Sequence, residues 1–366
     1  MKIREARILK ASLPYRSPFR IAGGVTTAAD HVFVELTGEN GLRGYGEAAP
    51  MPSYSSETSG SVIAILKRGM LEQVVGETVF DMERILNKLD EVSTTDPFAT
   101  AAVDFALHDL AGKCLDTPCY NLMGGRLRER VDLSWAVGMG EVEAMVEEAV
   151  HHVDMGYRTV KLKVGSDPGG DLEVVRAVRN RIGAEIRLRV DGNQGYSLED
   201  AVRILPELER FDLEMIEQPI HRDDIEGMVA LRAVLHTPVL ADESLFSLQD
   251  ALDLIRMEAC DVFNIKVMKP GGLWRSRKIA AVAAAAGIPC SVGSMVEMGP
   301  GSAAGLHFAL SIPEVKYAAE LIGHEMIDGD VIEEADWIAT CRNGYLGVPG
   351  GPGLGFCMKG GLEHVD

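Results

Sequence analysis

The chain has 366 residues, a formal net charge of −19 and an apolar fraction of 46%, so it can bury a full core. That charge excludes nucleic acid and anionic membrane surfaces as partners, because both need a basic footprint. No apolar run approaches the roughly 18 residues of a membrane span, and six cysteines without a Cys-x-x-Cys pair read as reduced thiols of a cytoplasmic protein.

Residues 2–13 and 31–36 alternate apolar and polar, as half-buried antiparallel strands do; 38–41 supply a turn and 44–47 continue the next strand. The connection 14–30 is long and mixes Arg16, Phe19 and Arg20 with Gly23 and Gly24, which suits a lid or binding loop better than an idle linker. Helical patterns follow through 59–113. The last, 101–113, repeats small and apolar residues at helical spacing, so core packing explains it and His108 is expected to be a packed histidine. Strands followed by helices describe an α+β domain, placed at 1–128.

From residue 129 the pattern changes. Eight short apolar runs, at 131–137, 159–164, 187–190, 214–217, 239–242, 262–267, 289–293 and 315–321, are separated by segments of helical length. Strand-then-helix units at that interval predict a (β/α)7β TIM-like barrel over 129–324. No amphipathic helix follows the eighth run, and the tail 325–366 is expected to return to the first domain. Its Gly-rich stretch is no phosphate cradle, because Pro349 and Pro352 lack amide donors and no helix start follows.

Barrel chemistry sits at the strand C-termini. Asp191, Glu217 and Asp242 end the third, fourth and fifth strands, each followed within two positions by a polar residue: Asn193, Gln218 and Glu243. One such acid alone would simply face water. Three on adjacent strands repel one another unless a cation sits between them, and an all-oxygen set suits Mg²⁺. Lys161 and Lys163, two apart on an apolar strand, face the interior together, and Lys266 stands across the mouth. Crowded ammonium groups should push a lysine pKa down toward the range of a general base. Two bases on opposite faces of a carboxylate substrate, with Lys161 stabilising the enediolate, amount to a racemase or epimerase.

These residues, with Gly44-Tyr45-Gly46-Glu47-Ala48-Ala49-Pro50, Lys161-Leu162-Lys163, Asp191-Gly192-Asn193, Ile216-Glu217-Gln218-Pro219, Ala241-Asp242-Glu243-Ser244 and Asn264-Ile265-Lys266, resemble the enolase superfamily in its muconate lactonizing enzyme subgroup. The resemblance covers nearly the whole chain and implies Asp191, Glu217 and Asp242 as Mg²⁺ ligands, Lys163 and Lys266 as the acid/base pair and Lys161 as electrostatic helper. Cap loop 48–54, with Tyr54, looks most like dipeptide epimerases. The segment Ala318-Ala319-Glu320-Leu321 departs from their Asp-x-Asp pattern and is closer to muconate cycloisomerases and N-succinylamino acid racemases. The expected substrate is a small carboxylate, either a dipeptide or an N-acyl amino acid. Cycloisomerisation, an o-succinylbenzoate-synthase-like dehydration and a non-catalytic ligand-binding barrel stand as alternatives. Among further candidates, Glu320 would meet an ammonium group or be a structural acid. Glu297 would line the site or act as a helix N-terminal acid, and Arg16 and Arg20 would bind a distal carboxylate. Relatives in this family form dimers or octamers, so a homo-oligomer is an open expectation.

Overall fold

The computed structural model describes residues 1–52 and 54–365; Ser53, within cap loop 48–54, and Asp366 lie outside the described residues. Strands β1 (Ile3–Ile21), β2 (Gly24–Gly38) and β3 (Arg43–Ala48) form an antiparallel meander, with Val34 of β2 opposite Ile8 and Gly46. The expected long connection 14–30 is instead the far end of this hairpin, turned at residues 22–23. Its residues still alternate, with Tyr15, Phe19 and Ile21 buried while Arg16 and Arg20 are exposed. Pro18 has no amide to donate, and pairing skips between Pro14 and Phe19 as a bulge rather than ending.

Against the meander pack α1 (Ser59–Ile65) and α3 (Pro97–Cys114), and α2 (Met82–Val92) and the single turn α4 (Cys119–Leu122) pack on α3. Thr58 and Ser61 close a capping box on α1, and Pro97 starts α3, where a missing amide costs nothing. Helix α3 is buried nearly all round, which its alanines allow. A Cβ on Gly46 of β3 would lie 2.0 Å from the Ala102 carbonyl oxygen, so only glycine fits that approach. Buried aromatics such as Phe98 and Phe105 each contribute about 1.5–3 kcal/mol of transfer free energy.

The expected first barrel strand, 131–137, is two elements. β4 (Arg130–Asp132) stands apart, and β5 (Ser134–Val137) begins the barrel. The break falls where consecutive amides take different partners: Leu133 donates to the Gly344 carbonyl and Ser134 to that of Ala319. There follow β6 (Thr159–Lys163), β7 (Arg187–Asp191), β8 (Leu213–Glu217), β9 (Val239–Ala241), β10 (Val262–Asn264) and β11 (Cys290–Ser291), making one parallel seven-stranded sheet with β5. The eighth run forms no ladder. Bridges from Val315 to Cys290 and from Ala319 to Leu133, with Glu320 donating to the Val292 carbonyl at 2.9 Å, stitch it to both sheet edges.

Helices α5 (Val142–Asp154), α6 (Pro168–Ile182), α7 (Leu198–Leu208), α8 (Ile225–Val234), α9 (Leu248–Met257), α10 (Leu273–Ala286) and α11 (Gly299–Ser311) alternate with the strands. Side chains of Asp167, Ser197, Asp224 and Ser247 cap four of them, so the chain turns from strand to helix just beyond each strand's polar end. After the eighth run come the single turn α12 (Gly323–Met326) and a 3-10 helix at Ile338–Asn343. The tail then supplies β12 (Tyr345–Gly347), paired with β4, and β13 (Glu363–His364), paired with β1.

Candidate active site

Strand register builds the site. Lys163 of β6 lies opposite Asp191 of β7, which lies opposite Glu217 of β8, so the three stand at one height at the strand C-termini. Lys163 Nζ donates to Asp191 Oδ2 at 2.6 Å. Lys161 Nζ, one pleat deeper, lies 3.1 Å from Asp191, 2.9 Å from Glu217 and 2.6 Å from Glu320. Across the mouth Lys266 Nζ is 2.8 Å from Asp242 Oδ2, and Lys269 Nζ reaches Asp242 Oδ1 at 2.6 Å and its carbonyl at 2.5 Å. The carboxylates thus form a row with Lys163 at the Asp191 end, Lys266 and Lys269 at the Asp242 end, and Lys161 beneath Asp191 and Glu217.

The cap covers both ends with an aromatic ring. Phe19, from the hairpin, has its centroid 5.9 Å from Lys163 Nζ. Tyr54 has its centroid 4.1 Å from Lys266 Nζ and donates its hydroxyl to Asp242 Oδ1 at 2.9 Å. Arg16 and Arg20 point outward into solvent instead, because strand alternation turns Phe19 inward and its neighbours out. They do not face the carboxylate row, and Arg16 lies 3.6 Å from Asp328.

Polar neighbours fix the row. Asn193 donates to Glu243 Oε1 at 2.9 Å and Asn264 to Glu217 Oε1 at 2.8 Å. Gln218 accepts from the amides of Asp242 and Ser244, both at 3.0 Å. Asn193, Gln194, Gln218 and Val296 have positive φ, and for the β-branched Val296, at +59°, this is strain held at the strand ends. Glu320 is a barrel acid bonded to Lys161. Glu297 is buried and accepts from Ser294, and burial raises its pKa. It is not the N-terminal acid of α11. That position belongs to Glu47 of β3, which accepts from the Met298 and Gly301 amides, both at 2.8 Å, and pairs with His31 at 2.7 Å.

Burial and repulsion from Asp191 push Glu217 up to about 8, against the attraction of Lys161. Burial together with Asp242 and Asp191 raises Glu243 to about 7. Burial would also raise Asp191 and Asp242, but the lysines beside them outweigh it and both are lowered. Lys161 and Lys266 do not follow the expected fall: burial lowers the pKa, but facing carboxylates outweigh it and both are raised, whereas burial lowers Lys269. Attraction from acids at hydrogen-bond distance exceeds repulsion between ammonium groups further apart.

As they stand, no three His, Cys, Asp or Glu side chains among the described residues gather round one point as a metal cage, since each carboxylate of the row is turned to an ammonium group. The donor chemistry nevertheless fits a hard divalent cation. All donors are oxygen, and Asn193 Oδ1, Asn264 Oδ1 and Glu243 Oε2 are buried without a hydrogen-bond partner among the described residues.

Residues 3–124 match the mandelate racemase / muconate lactonizing enzyme N-terminal domain, and residues 144–361 the enolase C-terminal domain-like family. The chain belongs to the enolase superfamily, in its muconate lactonizing enzyme subgroup. It is an enzyme of the isomerase class. Among solved structures it is similar to the dipeptide epimerase of Enterococcus faecalis complexed with Mg and L-Leu-L-Tyr, at 32% identity and TM-score 0.93 over 98% of this chain and 100% of that one. The N-succinyl Arg/Lys racemase of Bacillus cereus is 33% identical, with TM-score 0.93 over 98% and 96%. The muconate lactonizing enzyme of Pseudomonas fluorescens, complexed with muconolactone, is 30% identical, with TM-score 0.93 over 98% and 97%.

Sequence reasoning about this superfamily member missed Lys269, Asn264, Phe19 and Glu47 as site residues. Lys269 was findable, three residues after Lys266. Phe19 and Glu47 were not, because only the docking of the cap brings them to the barrel.

Proposed function

We propose that the chain is a Mg²⁺-dependent racemase or epimerase acting on an amino acid whose nitrogen carries an acyl or aminoacyl group, dipeptides included. The observation that carries this reading is the placing of Lys163 and Lys266 at opposite ends of the Asp191–Glu217–Asp242 row. Asp191, Glu217 and Asp242 would hold the cation, which supplies positive charge to the substrate carboxylate when bound. One lysine, as free amine, takes the α-proton, which for Lys266 requires first giving up the proton that its facing carboxylates hold on it: the Cα–H bond breaks, an N–H bond forms, and the electron pair delocalises into the carboxylate. Lys161 offers its ammonium group to that developing charge. The opposite lysine then delivers a proton to the other face and the centre inverts. Phe19 and Tyr54 exclude water above each lysine. In this reading residues 129–324 do the chemistry and residues 1–128, with 325–366 packed on them, select the substrate. The free cysteines, and the lack of any helix long and apolar enough to cross a membrane among the described residues, accord with a cytoplasmic enzyme.

A cycloisomerase using the same enolate chemistry is the second reading. It is favoured by Glu320, whose bond to Lys161 occupies the acid that a dipeptide ammonium group would need. Proton NMR in D₂O with Mg²⁺, over dipeptides and N-succinyl amino acids, tests the first reading. Loss of the α-proton signal with formation of the other stereoisomer is expected; intact α-protons throughout the series, with turnover of muconate, would replace it with the second.

A further inference from the structure

A sizeable cavity lies away from the carboxylate row. It is a groove of about 820 Å³ on the outer face of β5, within the roughly 300–1,000 Å³ of small-molecule sites, and none of the barrel-mouth lysines or carboxylates lines it. It exists because the eighth strand-helix unit is incomplete. After the eighth run the chain makes one turn, α12, and leaves, so the side of β5 away from the barrel is bordered by α5, by residues 324–326 and 334–342 of the tail, and by the hairpin residues 16–19.

The walls of this groove are built rather than merely left over. Trp135 points outward from β5 and stacks on His152 of α5, with ring centroids 3.5 Å apart and planes 10° apart. Its indole N–H donates to Glu148 at 2.8 Å. Met139, Met145, Met155 and Met326 supply a deformable apolar lining. His324 has both ring nitrogens shielded from water and without a partner among the described residues, as has Glu325 Oε1, whose Oε2 accepts from Tyr157. Burial pulls His324 down to about 4, so at neutral pH it offers an acceptor nitrogen and brings no positive charge. The cationic lining residues Arg16 and Arg342 are exposed at the rim, and the interior holds only acids, Glu148 and Glu325.

We propose that this groove is a second binding site, taking a small organic cation with an aromatic or apolar body. The Glu325 oxygen and the His324 nitrogen left without partners would accept its N–H groups, while Trp135 and the methionines hold its body. The site uses none of the lysines or carboxylates of the proposed reaction; of the residues placed there, Phe19 borders both.

Isothermal titration calorimetry on the full chain with three probes of one shape tests this: benzamidine (cationic), benzamide (neutral) and benzoate (anionic). Saturable binding of benzamidine is expected, with the other two weaker by about tenfold or more, the scale of one charge-assisted hydrogen bond. Ala144→Trp and Ala339→Trp, at exposed rim positions that leave the core untouched, should abolish it, and Glu325→Gln should weaken it by about tenfold. No saturable benzamidine binding, equal binding of benzamide, or binding unchanged in both tryptophan variants would overturn the proposal. The last result would place the cation elsewhere, the acidic barrel mouth included.

Discussion

Lys161 Nζ donates to Glu320 Oε2 at 2.6 Å, joining the second barrel strand to the segment that closes the barrel. The contact holds the Lys161 ammonium group between Glu320 and Glu217. If Glu320 positions Lys161, Glu320→Gln lowers kcat by up to about 100-fold for free-amine dipeptides and N-succinyl amino acids alike. A raised KM confined to the free-amine dipeptides would instead assign it to ammonium capture.

Lys163 and Lys266 stand at opposite ends of the carboxylate row, and in the proposed reaction each serves one face of the substrate. Lys163→Ala and Lys266→Ala should each reduce racemisation by about 10²–10⁴-fold. Each variant should retain α-proton exchange in D₂O for one enantiomer, and the two variants for opposite enantiomers. Exchange of both enantiomers by either variant would rule out the two-base arrangement.

Removing divalent cations with a chelator should abolish activity and lower the melting temperature, and Mg²⁺ should restore both. In the proposed reading the cation binds the carboxylate row of the folded chain, which the unfolded chain does not hold together. Asp242→Asn should lose the Mg²⁺-dependent rise in melting temperature; an undiminished rise would place the cation elsewhere.

Glu47 joins cap to barrel by accepting from two amides at the start of α11 and from His31. Glu47→Ala leaves those donors buried without a partner and should cost about 3–5 kcal/mol in urea unfolding. Glu47→Gln keeps an acceptor and should cost clearly less. Equal losses would show that the acceptor is not what matters.

His307 is fully buried, accepts from the Tyr120 amide at 3.1 Å, and burial lowers its pKa to about 4. Below pH 6.5 the unfolded chain takes up a proton that the folded chain refuses. Stability is therefore complete above 6.5 and falls as the pH drops toward 4, by at most about 3 kcal/mol for this residue. His307→Gln keeps an acceptor but does not titrate, so its urea midpoint should fall less between pH 7 and 4.5 than that of the unchanged chain. Equal falls would exclude His307 as a source of acid lability.

Much of this enzyme was determined by local sequence. Apolar runs carrying Lys163, Asp191, Glu217 and Asp242 recur at strand-helix spacing, and parallel register alone brings the first three to one height, with Asp242 two residues beyond the partner of Glu217. Strand alternation likewise requires Lys161 and Lys163 to share a face. What local pattern could not determine are outcomes of long-range packing. The hairpin end at 14–30 read as a loop because the pairing that orders it is cross-strand. The run 131–137 read as one strand because nothing within it shows that adjacent amides bond to Gly344 and Ala319. Lys161 and Lys266 depart from the expected fall in pKa for a related reason: repulsion between neighbours is visible in the sequence, whereas attraction depends on distances to Glu217, Glu320 and Asp242 that only folding sets. Tertiary structure alone placed Phe19 and Tyr54 over the two lysines, turned Arg16 and Arg20 away, gave the α11 terminus to Glu47 and opened the groove beside Trp135. Each joins residues far apart in the chain, and their geometry follows from how cap, barrel and tail dock.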